Sequence, residues 1–306
     1  MTTLIAHKFE SINIKKIALA LVMAVVFLTL TSNTFRPIRV FVSYYTCRVL
    51  SDTNLVELTC NTLPTISVIL PKLTDANQLG AEDPMALALF FENHEIDSHI
   101  YAHRTNSPDR ANIYKKYYSS FEFDAIWDAS KSAIDIFHWP ERKSISFLFS
   151  DLLDIIGNEK YFWMDLKNLN NNNYFDIINY INTLTGEDTK LNKKHLIIES
   201  KNVEILSRLS QKKFLTSYYL PDTTPNTSCH DLSSITLKIV NNIQTYSTRY
   251  ISFPYQQQAY VDKCLLPIIG DIEQLSWGGL PFAIPKGASE RYRAYIVDHS
   301  MHNLPH

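Results

Sequence analysis

Glycine is scarce in this chain, which has 7 glycines among 306 residues. Average proteins contain roughly 7% glycine, so this content is about a third of the usual share. None of the glycines falls in a GxGxxG or GxxxxGKS/T pattern. The sequence therefore argues against a glycine-rich phosphate-binding loop, and any phosphate chemistry has to use a metal or charged side chains instead.

A surplus of positive charge is also missing. Lys and Arg total 29 against 31 Asp and Glu, which gives a formal net charge of −2. A protein that binds nucleic acid usually shows a basic surplus or a basic stripe, so no nucleic-acid partner is expected. Apolar residues make up 45% of the chain, which is enough to build a hydrophobic core.

No cysteine stands in a CxxC or Cys/His spacing typical of zinc sites. The four cysteines are Cys47, Cys60, Cys229 and Cys264. An even number in an exported chain permits two disulfides, and proximity in sequence favours Cys47–Cys60 and Cys229–Cys264. Four reduced, buried thiols are the alternative.

The N-terminus carries an apolar run from Ile17 to Leu30, interrupted only by Thr29 and preceded by Lys15 and Lys16. The run is short for a membrane span, which needs about 20 apolar residues, and it also suits a signal-peptide core. A buried soluble helix is the alternative. We predict that residues 1–35 are an export signal or a membrane anchor. The rest of the chain would then be periplasmic, extracellular or anchored facing out of the cytoplasm.

Residues 36–95 are predicted to form a small N-terminal extension. Residues 40–42 and 66–70 have the composition of short strands, and residues 84–93 that of a short helix. From residue 96 to residue 306 the pattern becomes regular and predicts the main domain.

Short strand-like runs and helical periodicity alternate along this main domain. The predicted strands are 100–102, 121–127, 161–164, 195–198, 214–219, 250–253, 274–277 and 294–297, and the predicted helices are 111–118, 147–156, 174–184, 203–209 and 232–245. The run 133–137 is also strand-like, but it is not one of the eight strands predicted for the barrel. Repeated strand–helix units favour parallel pairing, and eight of them predict an α/β fold, a (β/α)8 TIM barrel. A doubly wound open sheet is the alternative.

Two carboxylates lie two positions apart in the second predicted strand, at Glu122 and Asp124. Residues at that spacing in a strand face the same side. Inside a barrel such a pair would need a cation, and a hard ion such as Mg²⁺ or Ca²⁺ prefers carboxylate oxygens. Asp165, at the end of the next strand, would complete the set. An outward-facing polar pair is the alternative.

Two histidines follow predicted strand ends, at His103 and His138. A single histidine is more often structural than catalytic. Two histidines around a carboxylate pair, all at the strand ends where barrel enzymes place their reactive groups, can act as acid and base near neutral pH.

The order of four motifs resembles the phospholipase C-like phosphodiesterase superfamily. The motifs are HRTN at 103–106, FEFD at 121–124, IDIFH at 134–138 and MDLK at 164–167. The glycerophosphodiester phosphodiesterase and sphingomyelinase D branches are similar in this order. The resemblance covers about residues 98–200, and Trp277 matches a tryptophan common in the family.

This resemblance implies a TIM barrel and a role for each motif residue. His103 and His138 would be the acid/base pair, and Lys167 would contact phosphate or the metal ligands. Glu122, Asp124 and Asp165 would bind one divalent cation, Mg²⁺ or Ca²⁺. The substrate would be a glycerophosphodiester or a phospholipid head group. Independently of the resemblance, the apolar N-terminal segment is expected to associate with the membrane.

The sequence also departs from the family. Thr105, Asn106 and Ser107 stand where glycerophosphodiesterases have a glycine followed by Glu-Asn-Thr, and Asp165 replaces their usual Glu. Two other functions stay open on the same barrel. One is a glycoside hydrolase that uses two carboxylates without a metal, and the other is a catalytically inactive, exported binding protein. Metal dependence would discriminate the phosphodiesterase from the glycoside hydrolase.

Overall fold

The computed structural model describes residues 96–297 except 141, 158, 186–190, 223–228, 232, 279–283 and 285–286. The predicted export or anchor segment, the extension over 36–95 and the pair Cys47–Cys60 lie outside these residues. Within the part that is described, no helix is both long enough and apolar enough to cross a membrane.

Eight parallel strands close into a barrel, which confirms the predicted TIM barrel and shows that the open-sheet alternative was wrong. The strands of the sheet are β1 Ile100–Ala102, β2 Ser120–Asp128, β3 Ala133–Ile136, β4 Tyr161–Leu166, β5 Leu196–Ser200, β6 Leu215–Tyr219, β7 Tyr250–Pro254, β8 Glu273–Trp277 and β9 Ala294–Val297. Neighbours follow the order β1-β9-β8-β7-β6-β5-β4-β2. A parallel contact between Ala102 of β1 and Phe121 of β2 closes the ring.

The strand β3 lies outside the ring, as predicted for the run from Ala133. It pairs antiparallel with the distal half of β2, from Asp128 opposite Ala133 to Ala125 opposite Ile136. This hairpin returns the chain from the tip of β2 to the level of Ala125. The residues that follow β3 are therefore delivered to the mouth of the barrel.

Helices connect the strands and pack on the outside of the ring. They are α1 Pro108–Tyr114, α2 Phe149–Ile156, α3 Tyr174–Thr183, α4 Val203–Gln211, α5 Ser233–Tyr246, α6 Gln258–Tyr260, α7 Leu266–Ile269 and α8 Ala288–Arg291. Short 3₁₀ turns occupy Lys193–His195 and Tyr255–Gln257, and a π-helical turn spans Val261–Leu265.

Local sequence explains where these helices begin and which face they bury. In α4 the Asn202 side chain accepts a hydrogen bond from the backbone N–H of Ile205, and Val203, Leu206 and Leu209 are buried. A helix with such an apolar stripe packs that stripe on the sheet.

The first helix begins earlier than predicted, at Pro108 rather than residue 111. Ser107 caps it by accepting from the backbone N–H of Arg110, and Pro108 occupies the first turn. Proline has no N–H to lose at that position, so the Ser-Pro pair is itself a start signal for a helix.

Polarity changes along the inside of the barrel. One end is filled by an apolar cluster formed by Tyr101, Trp163, Ile197, Tyr250, Leu275, Ala294 and Ile296. Because side chains alternate in a strand, the next residues on the same face are two positions further on. Several of these next positions are polar, namely Asp165, Glu199 and Ser252. The polar and chargeable side chains of the interior therefore lie toward the C-terminal ends of the strands.

One of the two predicted disulfides is confirmed. Cys229 and Cys264 are bonded, with their Cα atoms 5.3 Å apart and 35 positions apart in sequence. The bond joins the segment before α5 to the π-helical turn.

Loss of this disulfide should weaken the fold. Cross-linking a loop of this length restricts the unfolded chain and stabilises the native state by about 3 to 4 kcal/mol. Replacing both Cys229 and Cys264 by alanine should lower the free energy of unfolding by that amount in urea titrations. Four free thiols in freshly prepared, denatured wild-type protein would contradict the bond.

Candidate active site

The turn after β1 wraps around the two carboxylates of β2. The backbone N–H of Arg104 donates to Glu122 Oε2 at 2.7 Å. The Asn106 amide holds Asp124 twice, since Nδ2 donates to Asp124 Oδ2 at 2.8 Å and the backbone N–H of Asp124 donates to Asn106 Oδ1 at 3.0 Å. Arg104 has a φ of 51°, the left-handed region, which turns the chain sharply enough to make these contacts.

Each of the two histidines lies beside a different carboxylate. His103 Nε2 is 3.9 Å from Glu122 Oε2, and His138 Nε2 is 3.8 Å from Asp124 Oδ1. Their side chains are 11% and 20% exposed, respectively, whereas both carboxylates are almost fully buried. The imidazoles therefore lie between the buried charges and solvent, where a substrate would enter.

Lys167 lies between the carboxylates of two neighbouring strands. Its Nζ is 2.8 Å from Asp124 Oδ1 and also forms an ion pair with Asp165 Oδ2. Burial opposes the charge on this amine, but Asp124 and Asp165 outweigh it and raise the pKa of Lys167. The side chain is therefore a fixed positive charge and not a base.

The carboxylates of the site are not equivalent. Burial, and then the charge of Asp124, raises the pKa of Glu122 well above its ordinary value. Burial also raises the pKa of Asp165, in spite of Lys167. Burial acts in the same direction on Asp124, but Lys167, His138 and Arg104 together hold the pKa of Asp124 below its usual range. The site thus carries more buried acidic groups than its positive side chains neutralise.

A fourth buried carboxylate, Glu199, was not among the predicted site residues. It lies opposite Asp165 in the register of β4 and β5, and Trp163 Nε1 donates to its Oε2 at 3.1 Å. Burial, and then the charge of Asp165, raises the pKa of Glu199 well above its ordinary value. The same two-residue alternation that pairs Glu122 with Asp124 places Glu199 on the inner face beside Ile197.

Aromatic side chains form one wall next to these groups. Trp277, at the end of β8, packs against Tyr219 with ring centroids 5.0 Å apart and against Trp163 at 6.0 Å. Lys201 Nζ lies 4.5 Å from the centre of the Tyr219 ring. The wall gives the mouth of the barrel an apolar surface beside the charged one.

The structure brings all six of the predicted site residues together. Ion pairs and close contacts link His103 to Glu122, His138 to Asp124, and Lys167 to both Asp124 and Asp165. Their assigned roles in metal binding and proton transfer stay predictions. Sequence reasoning named Arg104 and Asn106 only as parts of a motif, whereas here they position the carboxylates.

The donor chemistry of the site fits a hard divalent cation. Among residues 96–297 where they are described, no three His, Cys, Asp or Glu side chains stand in a ready-made metal cluster. The Lys167 ammonium lies between the Asp124 and Asp165 carboxylates and keeps them apart. Glu122, Asp124 and Asp165 nevertheless present carboxylate oxygens, the donors that a hard ion such as Mg²⁺ or Ca²⁺ prefers.

Comparison with known proteins finds matches among solved structures. No family model and no curated protein matches the sequence. A glycerophosphodiester phosphodiesterase from Parabacteroides distasonis is 13% identical with a TM-score of 0.45, over 69% of this chain and 96% of that one. Another from Agrobacterium tumefaciens is 11% identical with a TM-score of 0.45, over 66% and 96%. A phosphodiesterase from Oleispira antarctica, in complex with the product sn-glycerol-3-phosphate, is 9% identical with a TM-score of 0.38, over 66% and 92%.

Proposed function

We propose that this protein is a metal-dependent phosphodiesterase that acts on a glycerophosphodiester or a phospholipid head group. The observation that carries the proposal is the pair His103 and His138, each beside a different buried carboxylate at the mouth of the barrel. Cleavage of a phosphodiester needs one group to accept a proton and another to donate one. Two imidazoles at the edge of solvent meet this need near neutral pH.

Glu122, Asp124 and Asp165 would hold one divalent cation, Mg²⁺ or Ca²⁺. When bound, such an ion would supply positive charge that offsets the negative charge of the phosphate in the transition state. Lys167 keeps its positive charge next to Asp124 and Asp165, so it can contact the same phosphate while it holds both carboxylates in place.

The two histidines divide the proton transfers. One accepts the proton of the attacking hydroxyl, and the other protonates the leaving oxygen. Glu122 and Asp124 lie near enough to stabilise the imidazolium form of whichever ring has gained a proton. The attacker is water in hydrolysis, or a neighbouring hydroxyl of the substrate when a cyclic phosphate forms, and both fit this assignment.

We also propose that the protein is exported or anchored in a membrane with the barrel outside the cytoplasm. The disulfide between Cys229 and Cys264 supports this, because such bonds persist mainly in oxidising compartments. A reporter fused after His306 should then behave as non-cytoplasmic, and a cytoplasmic reporter would contradict the proposed location.

Metal titration beside a substrate panel tests the proposed chemistry. The full chain, stripped with chelator, should gain activity toward glycerophosphodiesters or lysophospholipids when Mg²⁺ or Ca²⁺ is returned. A glycoside hydrolase with two carboxylates would not need the ion. Activity that persists in chelator would contradict the metal-dependent mechanism. A protein that binds no divalent ion and cleaves nothing in the panel would instead be a binding protein.

A further inference from the structure

The loop 137–148, described except at residue 141, joins β3 to α2 and carries His138 of the candidate active site. Two large apolar side chains in this loop are open to solvent, Trp139 at 52% exposure and Ile145 at 53%. Exposed basic residues, Arg142 and Lys143, lie between them in sequence and outnumber the one acidic residue of this stretch, Glu141. The loop therefore presents apolar and basic side chains together, next to a proposed catalytic residue.

Hydrogen bonds hold the loop in this shape. The backbone N–H of Arg142 donates to the His138 carbonyl at 2.8 Å, which keeps Arg142 close to His138. Ser144 Oγ donates to the buried Asp135 Oδ2 at 2.6 Å, and the backbone N–H of Ile136 donates to the Phe147 carbonyl at 2.8 Å. Trp139 and Ile145 are thus exposed on a loop that is bonded at both of its ends.

Positive charge gathers where this loop meets the site. Partial burial, followed by the nearby charges of Arg104 and Arg110, lowers the pKa of Arg142. Arg104 Nε is itself 3.7 Å from Asp124 Oδ2. The basic cluster therefore extends from the loop to the carboxylates of the site.

Such a surface complements an anionic lipid bilayer. Tryptophan favours the boundary between head groups and acyl chains, and aliphatic side chains insert next to it. Arginine and lysine at the same level attract the negative surface, each contributing about 1 kcal/mol near anionic lipids.

We propose that loop 137–148 docks on an anionic lipid surface by inserting Trp139 and Ile145, and thereby presents lipid head groups to His138. The proposal rests on the proposed phosphodiesterase function and narrows its substrates to phosphodiesters held in a membrane. The positive charge of Arg142 and Lys143 provides the attraction, and the two apolar side chains provide the insertion.

Tryptophan fluorescence tests the docking directly in the full chain. The difference spectrum between wild type and Trp139→Phe isolates the Trp139 signal from the other three tryptophans, Trp127, Trp163 and Trp277. Vesicles of phosphatidylcholine and brominated phosphatidylglycerol should quench that signal. The apolar run 17–30 is present in both proteins and contains no tryptophan, so its own binding does not affect the difference. An unquenched Trp139 on bound protein would overturn the proposal.

Turnover provides a second measurement. The double variant Trp139→Ser with Ile145→Ser should cleave lipid in anionic vesicles about 10- to 100-fold more slowly. The two apolar side chains whose transfer from water into the bilayer would favour docking are then missing. Its turnover of a soluble glycerophosphodiester should match wild type. Leu237→Ser is the control, since Leu237 is 60% exposed on the outer helix α5, and it should lower neither activity.

The outcomes separate the docking proposal from the proposed chemistry. Equal loss on vesicles and on the soluble substrate would mean that Trp139 supports the catalytic site and would overturn docking. If neither substrate is cleaved by wild type, the chemistry is wrong, while fluorescence quenching still decides whether the loop enters the bilayer.

Discussion

Replacement of His103 or His138 by alanine is expected to lower phosphodiester turnover by about 10² to 10⁴-fold, with affinity for a divalent ion unchanged. The imidazoles lie 3.9 and 3.8 Å from their carboxylates, further than a direct hydrogen bond. The closer partners of Glu122 and Asp124 are the backbone of Arg104 and the side chains of Asn106 and Lys167, and all of these remain. Proton transfer is therefore lost without loss of the carboxylate cluster.

The leaving group shows which histidine is the acid. A substrate that releases p-nitrophenol needs little protonation of its leaving oxygen. The variant that lacks the general acid should therefore lose much less turnover on this substrate than on an alkyl phosphodiester. The variant that lacks the base should stay slow on both kinds of substrate. His99→Ala is a matched control, because His99 precedes β1 and pairs with Asp97. Normal turnover in both active-site variants would contradict the proposed mechanism.

The barrel strands could be located from the sequence because each is a short apolar run between polar turns. The predicted run 294–297 coincides with β9, and 274–277 differs from β8 by one residue. Closure of the ring could not be read in this way. It depends on one contact between strands, Ala102 with Phe121, which local patterns do not specify. An open sheet therefore stayed an alternative until the pairing was known.

The region between β7 and β8 escaped prediction for a different reason. A 3₁₀ turn, a short α-helix, a π-helical turn and a second short α-helix follow one another from Tyr255 to Ile269. A change of helical type shifts the position of successive side chains around the axis. The 3.6-residue period that identifies a helix is then lost, although the segment is helical throughout.

Part of the site follows from strand geometry and part requires the fold. The two-residue spacing places Glu122 and Asp124 on one face from sequence alone. Glu199 obeys the same rule relative to Ile197, but it becomes a site residue only when β5 is known to lie beside β4. The position of Lys167 between two carboxylates depends in the same way on the pairing of β2 with β4.

Replacement of Glu122 by glutamine should reduce metal affinity and turnover together. The amide keeps the shape and can still accept the hydrogen bond from the Arg104 backbone, but it removes one charge from the carboxylate cluster. Loss of groups that only support a metal ligand already lowers affinity about 10- to 100-fold, so loss of a ligand's charge should cost at least as much. Glu273→Gln is the control, because Glu273 is an exposed residue at the start of β8.

In the metal-free protein, Glu122→Gln should instead preserve stability as the pH rises. Burial and Asp124 raise the pKa of Glu122 in the folded state, so the proton on this group favours folding. That contribution is complete below the ordinary carboxyl pKa and is lost as pH rises through the raised one. Glutamine has no proton to lose, so the metal-free Glu122→Gln protein should lose less stability over that range than wild type does. Urea titrations in chelator at several pH values measure the difference. If the free energies of unfolding of the two proteins change with pH in parallel, the pKa of Glu122 is not raised in the folded state. If calorimetry gives Glu122→Gln the same ion affinity as wild type, Glu122 is not a metal ligand.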